Sequence, residues 1–132
     1  MSKEQKEFRK QLLETYSNYM LKDGMSPISL FSIEHDFGWD KIIETVFKKI
    51  KELFTPEEVQ ISQIKEKFGT LRFYIDYIDY KKIDDKKYDE INECIREAEI
   101  LTSKTCECCG NPGTTRGGFW LKTVCDECDK DK

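Results

Sequence analysis

The chain has 132 residues, of which 38% are hydrophobic, 36% charged and 12% aromatic, and a formal net charge of -4. That length holds one domain with a real core and excludes two ordinary ones, while eight Phe, six Tyr and two Trp exclude a disordered chain. The acidic balance weakens a default nucleic-acid reading, for which a local basic patch remains. No apolar run approaches the roughly 20 residues that cross a bilayer.

The first residues, Met1 to Glu7, carry no hydrophobic signal-peptide core, so a cytoplasmic location is the expectation. From Lys3 to about Lys22, Phe8, Leu12, Leu13, Tyr16, Tyr19 and Met20 recur at spacings of three and four, which predicts an amphipathic helix. Gly24 and Pro27 stop it, and Ile28 to Gly38 reads as irregular. Asp36 or Asp40 can cap a second helix whose inward face carries Ile42, Ile43, Val46, Phe47, Ile50 and Leu53, ending before Pro56.

The period changes between Val59 and Asp76. Gly69, within Lys67-Phe68-Gly69-Thr70, supplies the positive φ of a tight turn, so two antiparallel strands are predicted. With Phe68-Gly69 as the turn, Ile64, Leu71, Phe73 and Ile75 share a core face. Lys65, Lys67, Arg72 and Tyr74 share the solvated face, where three cations and an aromatic form a candidate partner-binding surface. After a charged loop from Tyr77 to Lys82, Asp84 or Asp85 opens a third helix with Tyr88, Ile91, Ile95, Ala98 and Thr102 along one stripe. The expected fold class is therefore α+β, with helices packed on a β-hairpin over residues 1–104. A C-terminal zinc-ribbon-like element follows over 105–132. No linker-like tract separates the two, which predicts that the ribbon packs on the core.

Five of the six Cys fall in that last segment. Cys106 and Cys109, then Cys125 and Cys128, give C-x2-C, fifteen intervening residues and C-x2-C, a zinc spacing. Two residues between ligands let one turn aim both sulfurs at a single ion, and Gly110 can close the first turn. Gly117 to Val124 reads as a strand returning the chain to the ion. One structural Zn2+ is thus the expected cofactor; the alternatives are free thiols or disulfides, and disulfides belong to oxidising compartments. Cys106-x-Cys108 is a possible competing pair, but one intervening residue fits the geometry less well, so Cys108 is left out. Cys94 lies beside the apolar stripe of the third helix as an ordinary buried thiol. Four thiolates close the coordination sphere, whereas a catalytic zinc keeps one position for water.

No catalytic residue is identified. His35, followed by Asp36, is the only histidine, and the sequence has no phosphate-binding loop, dinucleotide fingerprint or nucleophile elbow. The pairs Asp84/Asp85 and Glu57/Glu58 suit helix starts rather than acid–base chemistry.

The run from Ile64 to Tyr74, Ile-Lys-Glu-Lys-Phe-Gly-Thr-Leu-Arg-Phe-Tyr, resembles a segment of a family of small bacteriophage and prophage proteins. So do Ala98-Glu99, Thr105-Cys106-Glu107-Cys108-Cys109-Gly110 and Asn111-Pro112-Gly113, and, more weakly, Gly38-Trp39. The family pattern reads T-C-E-x-C-G, then a Gly-Gly-aromatic strand, then C-x2-C or C-x2-H. The resemblance implies that Cys108 is the variable position and that position 128 is a ligand. It supplies no activity. It implies a phage or prophage origin, action in the host cytoplasm, and a host protein partner, defence systems included. The expected function is a non-enzymatic accessory protein that binds such a partner. The alternative is a zinc-ribbon nucleic-acid-binding or transcription-related protein using the basic hairpin face, although residues 105–132 carry four basic and five acidic side chains.

Overall fold

The computed structural model describes residues 3–19, 38–118 and 121–130. Helix α1 spans Lys3–Thr15 and is followed by a 3-10 turn at Ser17–Tyr19. The rest of the expected first helix, its stop signals Gly24 and Pro27, and His35 and Asp36 lie outside the described residues. Helix α2 spans Asp40–Leu53, strands β1 and β2 span Val59–Lys67 and Thr70–Tyr77, and helix α3 spans Asp85–Thr102. The C-terminal part holds β3 (Thr114–Arg116), β4 (Lys122–Val124) and a short helix α4 (Asp126–Lys130). Phe119 and Trp120, within the expected return strand, are outside the described residues.

Alternation fixes the hairpin register. Ile64 pairs with Phe73, Lys65 with Arg72, Glu66 with Leu71 and Lys67 with Thr70 across the antiparallel ladder. Ser62 falls in a bulge between Ile61 and Gln63, and beyond it Ile61 faces Ile75 on the core side. Val59, Ile61, Ile64 and Leu71 are fully buried and Phe73 nearly so. The turn is Phe68-Gly69, with φ of 55° and 82°, the paired left-handed geometry that two-residue hairpin loops require.

Helices α2 and α3 pack against each other, and α3 packs along β2. From α2, Ile43, Val46, Phe47 and Ile50 enter the core, while Ile42 and Leu53 sit at its edge. Phe47 stacks on Tyr16 at 4.9 Å and meets Phe73 edge-on at 5.7 Å, so one ring joins the N-terminal segment to the hairpin. From α3, Ile91, Ala98 and Thr102 are buried, whereas Tyr88 is partly exposed and tilts onto Tyr77. Asp84 is the N-cap of α3, its carboxylate accepting from the Lys86 N–H at 2.8 Å.

The start of α2 departs from the capping expectation. Asp40 is its first residue, and Trp39 occupies the cap position without a side-chain cap bond. The Asp40 carboxylate instead receives two bonds from Arg9 of α1, at 3.0 Å from Nε and 2.8 Å from Nη2, with both side chains buried. A partner of opposite charge at that point captures the carboxylate more strongly than its own helix N–H groups do.

Candidate metal centre

The ligand positions are prepared by backbone bonds. At the first knuckle, Gly110 adopts φ 85° and its N–H donates to the Cys106 carbonyl at 2.9 Å, closing the Cys106–Cys109 turn. The Cys106 N–H donates to the Asn111 carbonyl at 2.7 Å, and the Glu107 N–H to the Thr123 carbonyl of β4 at 2.9 Å. At the second knuckle, Cys125 immediately precedes α4, and the Cys128 N–H donates to the Cys125 Sγ at 3.4 Å. Arg116 of β3 clamps α4 from outside, reaching Asp126 at 2.8 Å and Asp129 at 3.1 Å, and Lys122 approaches Asp129 at 3.6 Å.

The Sγ atoms of Cys106, Cys109, Cys125 and Cys128 lie within 4.8 Å of one another, with Cys109 and Cys125 3.7 Å apart. Four sulfurs held tetrahedrally about 2.3 Å from one ion stand about 3.8 Å apart, so the arrangement can hold one metal ion and its donor set fits Zn2+. Burial raises the Cys106 thiol, but backbone hydrogen bonds at Cys109, Cys125 and Cys108 outweigh it and bring it down to about 6. Cys128 is pushed up, by burial first and then by hydrogen bonding to the other three sulfurs. Cys109 is raised as well, with burial again the leading cause. One thiolate in the cluster thus opposes ionisation of its neighbours, and a cation at the centre removes that opposition. Cys106 is buried while Cys109 is exposed, which opens the site to solvent on the Cys109 side.

Cys108 is not part of the cluster; its carbonyl accepts a 3.4 Å bond from Gln5 Nε2 of α1. Cys94 sits at the edge of the core with its thiol raised by burial first, then by Glu97.

The knuckle is also the meeting point of distant parts of the chain. The Gly38 N–H donates to the Glu107 carbonyl at 2.8 Å, and Trp39 Nε1 to the Thr105 carbonyl at 2.8 Å. A Cβ on Gly38 would lie 2.1 Å from the Cys106 carbonyl oxygen, so only glycine allows this approach. On the other side, the buried Thr123 hydroxyl donates to the Gly69 carbonyl at 2.6 Å, seating the hairpin turn on the β3–β4 sheet. The Leu71 N–H donates to the Thr102 hydroxyl at 3.0 Å, tying the same hairpin to the end of α3. In the sequence Gly38 and Trp39 stand out only as the weaker part of the family resemblance, which gives them no structural role.

The hairpin register puts Lys65, Lys67, Arg72 and Tyr74 on one face. They are not equivalent. Arg72 Nη1 lies 3.5 Å from Glu99 of α3, which commits that guanidinium to the fold. Lys65 and Lys67 meet no carboxylate within 4 Å among the described residues; their ammonium groups lie 5.7 Å from the Tyr74 ring and 5.5 Å from the Phe68 ring. A cleft of about 620 Å3 opens beside the knuckle, between α1, the start of α2 and the end of α3. Glu4 and Asp40 both line it; the Asp40 carboxylate is bound by Arg9, and burial raises its pKa against the lowering effect of Arg9.

The fold and site together define an α+β domain with a four-cysteine cluster that could hold one metal ion. No protein-family model, curated protein or solved structure matches the chain. Among the described residues, no helix is long and apolar enough to cross a membrane.

Proposed function

We propose that this is a non-enzymatic binding protein of phage type in which one structural zinc fixes the presentation of the β1–β2 hairpin to a host protein. The observation that carries the reading is the coupling of the two parts. Thr123, one residue before Val124 and two before the ligand Cys125, holds the turn residue Gly69 through a buried 2.6 Å bond. Zinc in four thiolates supplies rigidity and no open coordination position, so its contribution is to shape rather than chemistry. The resemblance to small phage proteins favours a host protein as the partner, with a counter-defence role among the outcomes.

The alternative, nucleic-acid binding, is favoured by the adjacency of Lys65 to Tyr74 on the hairpin face. It is opposed by the commitment of Arg116 and Lys122 to ribbon carboxylates and by the net charge of -4. Capture from a bacterial lysate, analysed for protein and for nucleic acid, separates the two. The zinc-loaded wild type should retain a protein that Lys65→Glu/Lys67→Glu loses. Retention of nucleic acid instead, or equal retention of the protein by both forms, refutes the reading. Arg72 is left unchanged, because Arg72→Glu would set a carboxylate against Glu99 and disturb the fold.

A further inference from the structure

Two unrelated observations meet at Phe68. Its backbone lies in the left-handed region, φ 55°, and it is the only non-glycine residue with positive φ among the described residues. Two-residue hairpin loops of this geometry favour Asn, Asp or Gly at that position, and for a bulky aromatic it is a true outlier. The residue is also 63% exposed, more than any other large hydrophobic residue among the described ones. Neither the turn nor the core therefore accounts for a phenylalanine here, and strain of this kind is tolerated where the residue serves another end.

The surroundings hold that turn in place. Glu66 Oε1 accepts the Gly69 N–H at 2.8 Å, the Thr70 hydroxyl donates to the Lys67 carbonyl at 3.1 Å, and Thr123 grips the Gly69 carbonyl from the ribbon side. The turn is fixed before any partner arrives, which lowers the ordering cost of binding. Lys67 stands over the ring and Lys65 over Tyr74 on the same hairpin face; these are the two cations of this face without a carboxylate partner among the described residues, on a chain that is acidic as a whole.

We infer that Phe68 is the anchor of the partner interface, its ring entering an apolar pocket on a protein whose rim carries carboxylates that meet Lys65 and Lys67. This rests on the reading that the hairpin binds a protein, and it names the residue and the pocket chemistry. A buried aromatic at the centre with charge at the rim is the usual energetic layout of a protein interface. Stacking of Phe68 on a base is the competing use. Two uncommitted lysines give too few phosphate contacts to hold a nucleic acid against a net charge of -4.

The test has two arms on the full zinc-loaded chain. In the first, Phe68→Asn and Phe68→Gly are melted beside the wild type; both should melt at a higher temperature, because they suit the turn better and lose little buried surface. A lower melting temperature for both would show that the ring is structural and overturn the inference. In the second, p-benzoylphenylalanine is placed at position 68 and, as a control, at position 78, where Ile78 is similarly exposed at 59%. Irradiation in bacterial cells should give a nuclease-resistant protein adduct from position 68 and little from 78. The captured protein, once purified, should bind wild type at least about 30-fold more tightly than Phe68→Asn, the loss expected of a hot-spot residue. Its binding to wild type should weaken with salt. No adduct, a nuclease-sensitive adduct, or equal adducts at both positions overturns the inference. If Lys65→Glu/Lys67→Glu abolishes binding while Phe68→Asn does not, the hairpin reading stands and the anchor falls. If neither matters, both fall.

Discussion

Replacing Gly38 by alanine tests whether the metal knuckle is an integral part of the domain. The new Cβ would stand 2.1 Å from the Cys106 carbonyl oxygen, 2.6 Å from the Glu107 carbonyl carbon and 2.7 Å from its oxygen. All three are backbone atoms, so no side-chain rotation relieves the overlap. Restoring an ordinary separation of about 3.4 Å requires the start of α2 and the knuckle to part by about 1.3 Å (3.4 − 2.1). That motion breaks the 2.8 Å bond from the Gly38 N–H to Glu107 and strains the one from Trp39 to Thr105. Overpacking of this kind costs about 1–3 kcal/mol and a lost hydrogen bond about 1 kcal/mol, for a total of about 2–4 kcal/mol. With an unfolding entropy of about 2.1 cal/mol/K per residue over 132 residues, each kcal/mol lowers the melting temperature by about 3.6 °C. The expected drop is then about 7–14 °C, measured by circular dichroism on zinc-loaded protein. Zinc transfer to a colorimetric chelator should accelerate in parallel, because the displaced residues flank Cys106. A drop of less than about 3 °C with unchanged zinc release would refute the close approach, and with it the claim that the knuckle is welded to α2.

Metal analysis of the reduced protein should give about one zinc per chain. Serine at Cys106, Cys109, Cys125 or Cys128 should release it, while Cys94→Ser and Cys108→Ser should keep it; zinc loss from Cys108→Ser would mean that the first knuckle is paired wrongly. Leu71→Ala and Phe73→Ala, which empty positions 0% and 5% exposed, should each cost about 2–5 kcal/mol in denaturant unfolding. Arg9→Ala leaves the Asp40 carboxylate buried and alone, at a cost of about 3–5 kcal/mol near neutral pH. Burial already raises the Asp40 pKa, so acid neutralises the abandoned carboxylate and the Arg9→Ala penalty should shrink as pH falls toward about 4. A penalty that grows in acid would contradict this assignment. Zinc affinity should fall over the same pH range, because protons compete for the thiolates, and a competition titration at several pH values measures it.

Local pattern was enough for much of this molecule. Alternation on either side of the Phe68-Gly69 turn places Ile64, Leu71 and Phe73 inward, whereas the bulge at Ser62, which keeps Ile61 on the same side, is not legible in it. Helical periodicity gives the buried stripe of α2, and the C-x2-C spacing brings each pair of sulfurs together because one tight turn does so wherever it occurs. That the two pairs meet at one point follows from the return of β4 beside β3.

What the sequence does not disclose is every interaction made across long separations. Arg9 and Asp40 are 31 positions apart, Gly69 and Thr123 are 54 apart, and Trp39 and Thr105 are 66 apart. The same holds for Arg72, which reads as a free cation in the strand and is held by Glu99 once α3 lies along β2. Periodicity reports how a residue faces its own element and says nothing of which element will pack there. Only the tertiary packing decides that a glycine before α2 must touch the metal knuckle, and that Lys65 and Lys67 are the cations of their face left without a carboxylate among the described residues.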